Sequence, residues 1–95
     1  MQKSISVQEG KIRTIVKDER FEYEMAKLEP NVRRADEFVE GAETILSRNP
    51  EAGCPLAGSQ VWFICGHMVD AALYYTFDAD NVYFLSIEKA KLPEL

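Results

Sequence analysis

The chain has 95 residues, 46% of them hydrophobic and 28% charged, a length and balance that fit one soluble globular domain with a modest core rather than two domains. A formal net charge of −5 argues against a general nucleic-acid-binding surface, on which Lys and Arg must replace the counterions along the phosphates. No run approaches the roughly 20 apolar residues needed to cross a bilayer, and Met1 to Gly10 lacks an apolar core of signal-peptide length, so a cytoplasmic protein without a membrane partner is expected.

Residues 11–16, Lys-Ile-Arg-Thr-Ile-Val, are β-prone and predict a first strand that ends at Asp18. Asp18 is also a good N-cap for a short helix from Glu19 to Leu28, in which Phe21, Met25 and Leu28 recur at i, i+4 and i+7. Pro30 then interrupts the helical pattern, because it disfavours helical geometry in the residue before it. Asn31 is placed to cap a second helix running to about Ser47, with Ala35, Phe38, Val39, Ala42, Ile45 and Leu46 as its apolar stripe. Gly41 interrupts that stripe at a cost of about 1 kcal/mol relative to Ala.

Arg48-Asn49-Pro50 ends the second helix, and residues 51–59, EAGCPLAGS, read as a connector with Leu56 as its anchor into the core. Gln60 to Cys65 predicts a strand, and residues 66–70 link it to AALYYTFDADNVYFLSI, residues 71–87. That stretch predicts a β-hairpin, with two β-prone runs flanking Asp78-Ala79-Asp80-Asn81 and Phe77 facing Val82. Alternation then puts Leu73, Tyr75, Phe77, Val82 and Phe84 on one face, and Ala72, Tyr74, Thr76, Tyr83, Leu85 and Ile87 on the other. The expected architecture is an α+β domain of order β-α-α-β-β-β, two N-terminal helices packed on a small antiparallel sheet.

Candidates for chemistry are few. His67 is the only side chain whose unperturbed pKa lies near neutrality and is the first candidate for proton transfer, with Asp70 near in sequence, although a solvated loop histidine is the favoured reading. Cys54 and Cys65 lack a CxxC spacing and a second ligand pair, so two reduced thiols are expected rather than a disulfide or a metal site. Glu37, Glu40 and Glu43 read as a solvated helix face, and no phosphate-cradling loop or HExxH pattern occurs, so no cofactor is expected. Trp62, Phe63, Tyr74, Tyr75, Tyr83 and Phe84 crowd three strands and could stack bases, but residues 49–87 contain no Lys or Arg to hold a backbone, which favours core and interface packing.

From Phe38 onward, FVEGAETILSRNPEAGCPLAGS followed by ALYYTFDADNVYFLSI resembles the RelE/ParE superfamily of bacterial toxins, which belong to type II toxin–antitoxin modules associated with plasmid stabilisation. The most telling pieces are Leu46-x-x-Asn49-Pro50, Gly53-x-Pro55-Leu56-x-Gly58 and Tyr75-x-x-Asp78, within a resemblance covering about residues 11–90. It implies two helices against a small sheet, an antitoxin partner, and either messenger RNA cleavage on the ribosome or poisoning of DNA gyrase; a homodimer and a silent relative are also admitted. The ribonuclease members carry Arg or Lys on the strand after the connector, a second Arg before the next Tyr, and a His, Tyr or Arg late in the final strand. Here those places hold Trp62 to Cys65, Ala72, and Lys89 with Ala90. Lys89 for phosphate charge, with His67 or Tyr75 for proton transfer, is therefore the catalytic set to test, and the loss of the other cations favours a toxin-like protein that acts by protein binding.

Overall fold

The alternating apolar residues of the last two strands form the middle of a five-stranded sheet in the computed structural model, which describes residues 11–28, 32, 34–66 and 69–90. The elements are β1 (Thr14–Lys17), α1 (Glu19–Leu28), α2 (Ala35–Arg48), a 3₁₀ turn at Pro50–Ala52, β2 (Cys54–Pro55), β3 (Trp62–Cys65), β4 (Ala71–Phe77) and β5 (Asn81–Lys89). Across the sheet the strands lie in the order β1, β5, β4, β3, β2, with β1 parallel to β5 and every other pair antiparallel. The expected α+β architecture of two helices on a small sheet stands, with two additions. The sheet is mixed, because β1 lies alongside β5 in the same direction, and the connector supplies a fifth, two-residue strand through Cys54–Phe63 and Pro55–Trp62 pairing.

Local signals account for most element boundaries. Asp18 caps α1, its Oδ1 accepting from the Arg20 N–H at 2.9 Å, and Phe21 and Leu28 are buried with Met25 packed at the margin. The second helix begins later than expected: Arg34 has φ of 63°, a left-handed conformation that a right-handed helix cannot continue through, so α2 starts at Ala35. Asn31, the expected cap, lies outside the described residues. At the other end the Asn49 side chain accepts from the Glu51 N–H at 3.3 Å, turning the chain into the Pro50 turn.

Both helices cover one face of the sheet. The core between the layers comprises Phe21, Val39, Leu46, Leu73, Tyr75, Val82, Phe84 and Ile87 among others, with Phe21 and Phe84 meeting edge to face at 5.4 Å. Phe77 pairs with Val82 as the sequence predicts, and Leu73, Tyr75, Phe77, Val82 and Phe84 share the helix side. Ile87 departs from the expectation. Tyr74 pairs with Ser86 and Tyr75 with Phe84, so Leu85 is an extra, unpaired residue, and this β-bulge turns Ile87 onto the helix side, opposite Leu73. The bulge falls past the end of β1, at Lys17–Phe84, where Ile87 loses a strand neighbour; its N–H instead donates to Glu24 Oε1 at 3.1 Å. Among the described residues no helix is long and apolar enough to cross a membrane.

Candidate functional site

Tyr75 sits at the centre of β4 with no solvent exposure, and its hydroxyl is held at both of its polar functions. The O–H donates to the Pro50 carbonyl at 2.6 Å, and the oxygen accepts from the Gly53 N–H at 3.2 Å. Burial raises the hydroxyl pKa, and the Gly53 N–H offsets only part of that rise. Gly53 must be glycine here, because a Cβ at that position would collide with the Phe63 carbonyl and the Tyr75 hydroxyl. This tyrosine therefore ties the 3₁₀ turn and the connector to the middle of the sheet.

Lys89 ends β5 opposite Ala71 and is exposed. With Glu24, Lys27, Leu28 and Ile87 it borders an open cleft of about 310 Å³ between α1 and the end of the sheet. Lys89 pairs with Ala71, four residues before Tyr75 on β4, which places Lys89 and Tyr75 roughly 13 Å apart along the strands at about 3.3 Å per residue. The tyrosine hydroxyl reaches towards β2, away from that cleft. His67, the remaining member of the sequence-derived set, lies outside the described residues. Lys89 and the Tyr75 hydroxyl are thus not brought to one place.

The face of the sheet turned away from the helices is organised differently. Strand alternation puts Phe63 on β3, Ala72, Tyr74 and Thr76 on β4, and Tyr83, Ser86 and Glu88 on β5, with Leu85 added by the bulge between the core-facing Phe84 and Ile87. Phe63, Tyr74, Tyr83 and Leu85 are half-buried, and Phe63 packs on Tyr74 with ring centres 6.1 Å apart. Each tyrosine holds a carboxylate: Tyr74 donates to Glu88 Oε2 at 2.9 Å, and Tyr83 donates to Asp78 Oδ2 at 3.0 Å. Both hydroxyl pKa values are raised, first by these hydrogen bonds, which hold the protons on the tyrosines. Asp78 is held below the ordinary carboxylate range by the Asp80 and Asn81 amides and then by Tyr83.

The strand cations lie on the other side. Lys17 shares the side of Phe84 and pairs with Glu43 of α2 at 2.7 Å, and Lys89 shares that of Leu73 and Ile87. Arg13, just before β1, donates through Nε to the Asp78 carbonyl at 2.8 Å and stands 5.9 Å from the centre of the Phe77 ring. Sequence reasoning located the aromatic strands and the missing cations, but not the tyrosine–carboxylate pairs. Tyr74 and Glu88 meet only through the bulge-shifted pairing, which the alternation of residues does not reveal. Cys54 and Cys65 are exposed free thiols, and no group of three or more potential metal ligands occurs among the described residues.

No protein-family model and no curated protein matches the chain. Among solved structures, the chain is similar to one from the crystal structure of the RelBE2 toxin–antitoxin complex of Mycobacterium tuberculosis, with a TM-score of 0.69 and 24% identity over 82% of this chain and 91% of that one. That likeness is one of fold, and the protein has a RelE-like α+β fold.

Proposed function

We propose that this protein is the toxin-like component of a type II toxin–antitoxin pair and acts by binding protein. One observation carries the reading: on a RelE-like fold, the places to which the resemblance assigns cations hold Trp62 to Cys65, Ala72, and Lys89 with Ala90, and Lys89 lies on the helix side of the sheet while the opposite face carries aromatic rings and carboxylates. Cleavage by attack of a ribose 2′-hydroxyl needs positive groups where charge builds on the phosphorane, each worth on the order of 3 kcal/mol, and of these side chains Lys89 alone is cationic. The same surface is suited to a polypeptide, whose backbone and apolar side chains do not require a cationic bed. The partner that restrains the protein in this reading is an antitoxin encoded by the adjoining reading frame.

Production of the protein in bacteria with and without the product of that reading frame, with RNA ends mapped after induction, tests the proposal. Growth arrest with intact messages, relieved by the co-produced neighbour, is the expected result and directs the search to a protein target such as DNA gyrase. Cut messages whose cleavage falls about 10²-fold in Lys89→Ala would establish the ribosome-dependent endonuclease instead, with Lys89 stabilising phosphate charge. Absence of arrest would identify a silent relative.

A further inference from the structure

The open sheet face has a specific charge pattern as well as an apolar one. We infer that it takes a segment of a partner protein in which Arg or Lys alternates with apolar side chains, the cations seated on the Tyr74–Glu88 and Tyr83–Asp78 pairs. The inference rests on the protein-binding reading above and names the chemistry of the partner.

Three observations converge on a cationic occupant. First, Tyr74, Tyr83 and Phe63 present half-buried aromatic surface on one face, and α1 and α2 both pack on the other. Second, the hydroxyl of each tyrosine is hydrogen-bonded to a carboxylate, so each ring lies beside a fixed negative charge. A guanidinium can then meet a π-face and a carboxylate together, an arrangement in which cation–π attraction and a charge-assisted hydrogen bond add. Glu88 keeps a second oxygen, Oε1, with no hydrogen-bond partner among the described residues. Third, Lys17 and Lys89 fall on the helix side of the same strands, so among the described strand residues no cation lies on this face; Arg13, just before β1, reaches the Asp78 carbonyl at the hairpin tip, which leaves Glu88 the more open of the two carboxylates.

The same pattern excludes other occupants. A phosphate backbone or an acidic peptide would bring like charge against Glu88 and Asp78, and juxtaposed like charges across an interface are strongly unfavourable. Apolar residues between the cations meet Leu85, Phe63 and the tyrosine rings, which calls for alternation instead of a simple basic run.

The test is an NMR titration of the whole isotopically labelled protein with two short synthetic peptides, one alternating Leu with Arg and the other Leu with Glu. The Leu–Arg peptide should shift the amides of Phe63, Tyr74, Tyr83 and Glu88 first. Glu88→Lys should weaken it about tenfold, whereas Glu40→Lys, the same charge change on the exposed side of α2, should weaken it less than about twofold. Circular dichroism confirms that both variants fold. Equal weakening by the two variants, shifts centred on α2, tighter binding of the Leu–Glu peptide or of a uridine oligonucleotide, or occupation of the face by a second copy in sedimentation would each overturn the inference. Binding of the adjoining reading frame's product separates the two claims. If that product binds Glu88→Lys unchanged, the inference falls and the functional reading stands. If it fails to bind the wild type while the Leu–Arg peptide docks on Tyr74, the functional reading falls and the inference stands.

Discussion

The two faces of the sheet come from the same strands and differ in almost every physical respect. On the helix side Leu73, Tyr75, Val82, Phe84 and Ile87 are sealed, and the single polar group among them, the Tyr75 hydroxyl, is satisfied by the backbone of Pro50 and Gly53. On the far side the tyrosines are half-exposed, and their hydroxyls are satisfied by carboxylates that are themselves exposed to water. A buried hydroxyl paired with backbone holds the fold together; an exposed hydroxyl paired with a charge contributes little to stability and leaves that charge available to a partner.

Adjacent residues of β5 give the most direct way to break this contrast. Phe84→Ala empties a sealed position against Phe21 and should lower the unfolding free energy by about 3–5 kcal/mol. Tyr83→Ala, one residue earlier on the open face, should leave the urea midpoint close to that of the wild type. Comparable losses from the two would mean that both faces are structural, and the open face would no longer be a candidate surface. At the next level of effect, Tyr75→Phe keeps the ring and removes the hydroxyl, leaving the Gly53 N–H and the Pro50 carbonyl without their partner at a cost of about 1–3 kcal/mol. Because the hydroxyl pKa is raised in the folded state, this contribution is full below pH 10 and is lost as pH rises through the folded value. The variant should therefore lose less stability than the wild type between neutral and strongly alkaline pH, as followed by thermal melts.

The contrast also marks how far the sequence could be read. The Asp18 cap, the Phe77–Val82 pairing and Ala35, Val39, Ala42 and Leu46 of the α2 stripe follow from local chemistry and are where the residues put them, whereas Ile45 of that stripe and Leu56, the expected anchor of the connector, are exposed. Two features depend on the tertiary structure. Leu85 looks like one more alternating residue, yet past the end of β1 the strand is free to bulge, and Glu24 from α1 takes the N–H that results. The pairing of Cys54–Pro55 with β3 likewise depends on Gly53 approaching Phe63 and Tyr75, a contact between residues distant in sequence. For the candidate site, Lys89 is exposed on a cleft, whereas the Tyr75 hydroxyl, brought into the set by the family resemblance, is occupied by the backbone. Residue type cannot distinguish a free hydroxyl from one already satisfied.

The smallest expected effect lies at the hairpin tip, where Asp78 joins the two faces. Its Oδ1 accepts from the Asp80 and Asn81 amides at 2.9 and 2.8 Å, and its Oδ2 from Tyr83 on the open face. These donors favour the carboxylate, so its folded pKa lies below the ordinary value of 3.8, and the folded state releases this proton more readily than the unfolded chain does. The stabilisation is therefore present above about pH 4 and is lost as pH falls through the folded value. Asp78→Asn keeps a carbonyl to accept from the amides and removes the charge. Its melting temperature should lie slightly below that of the wild type at pH 7, and the two should converge as pH falls below the folded value, where Asp is protonated in both states. A gap that is the same at pH 7 and at low pH would show that the amide contacts, and not the charge, hold the turn, and that Asp78 contributes no pH-dependent element to the open face.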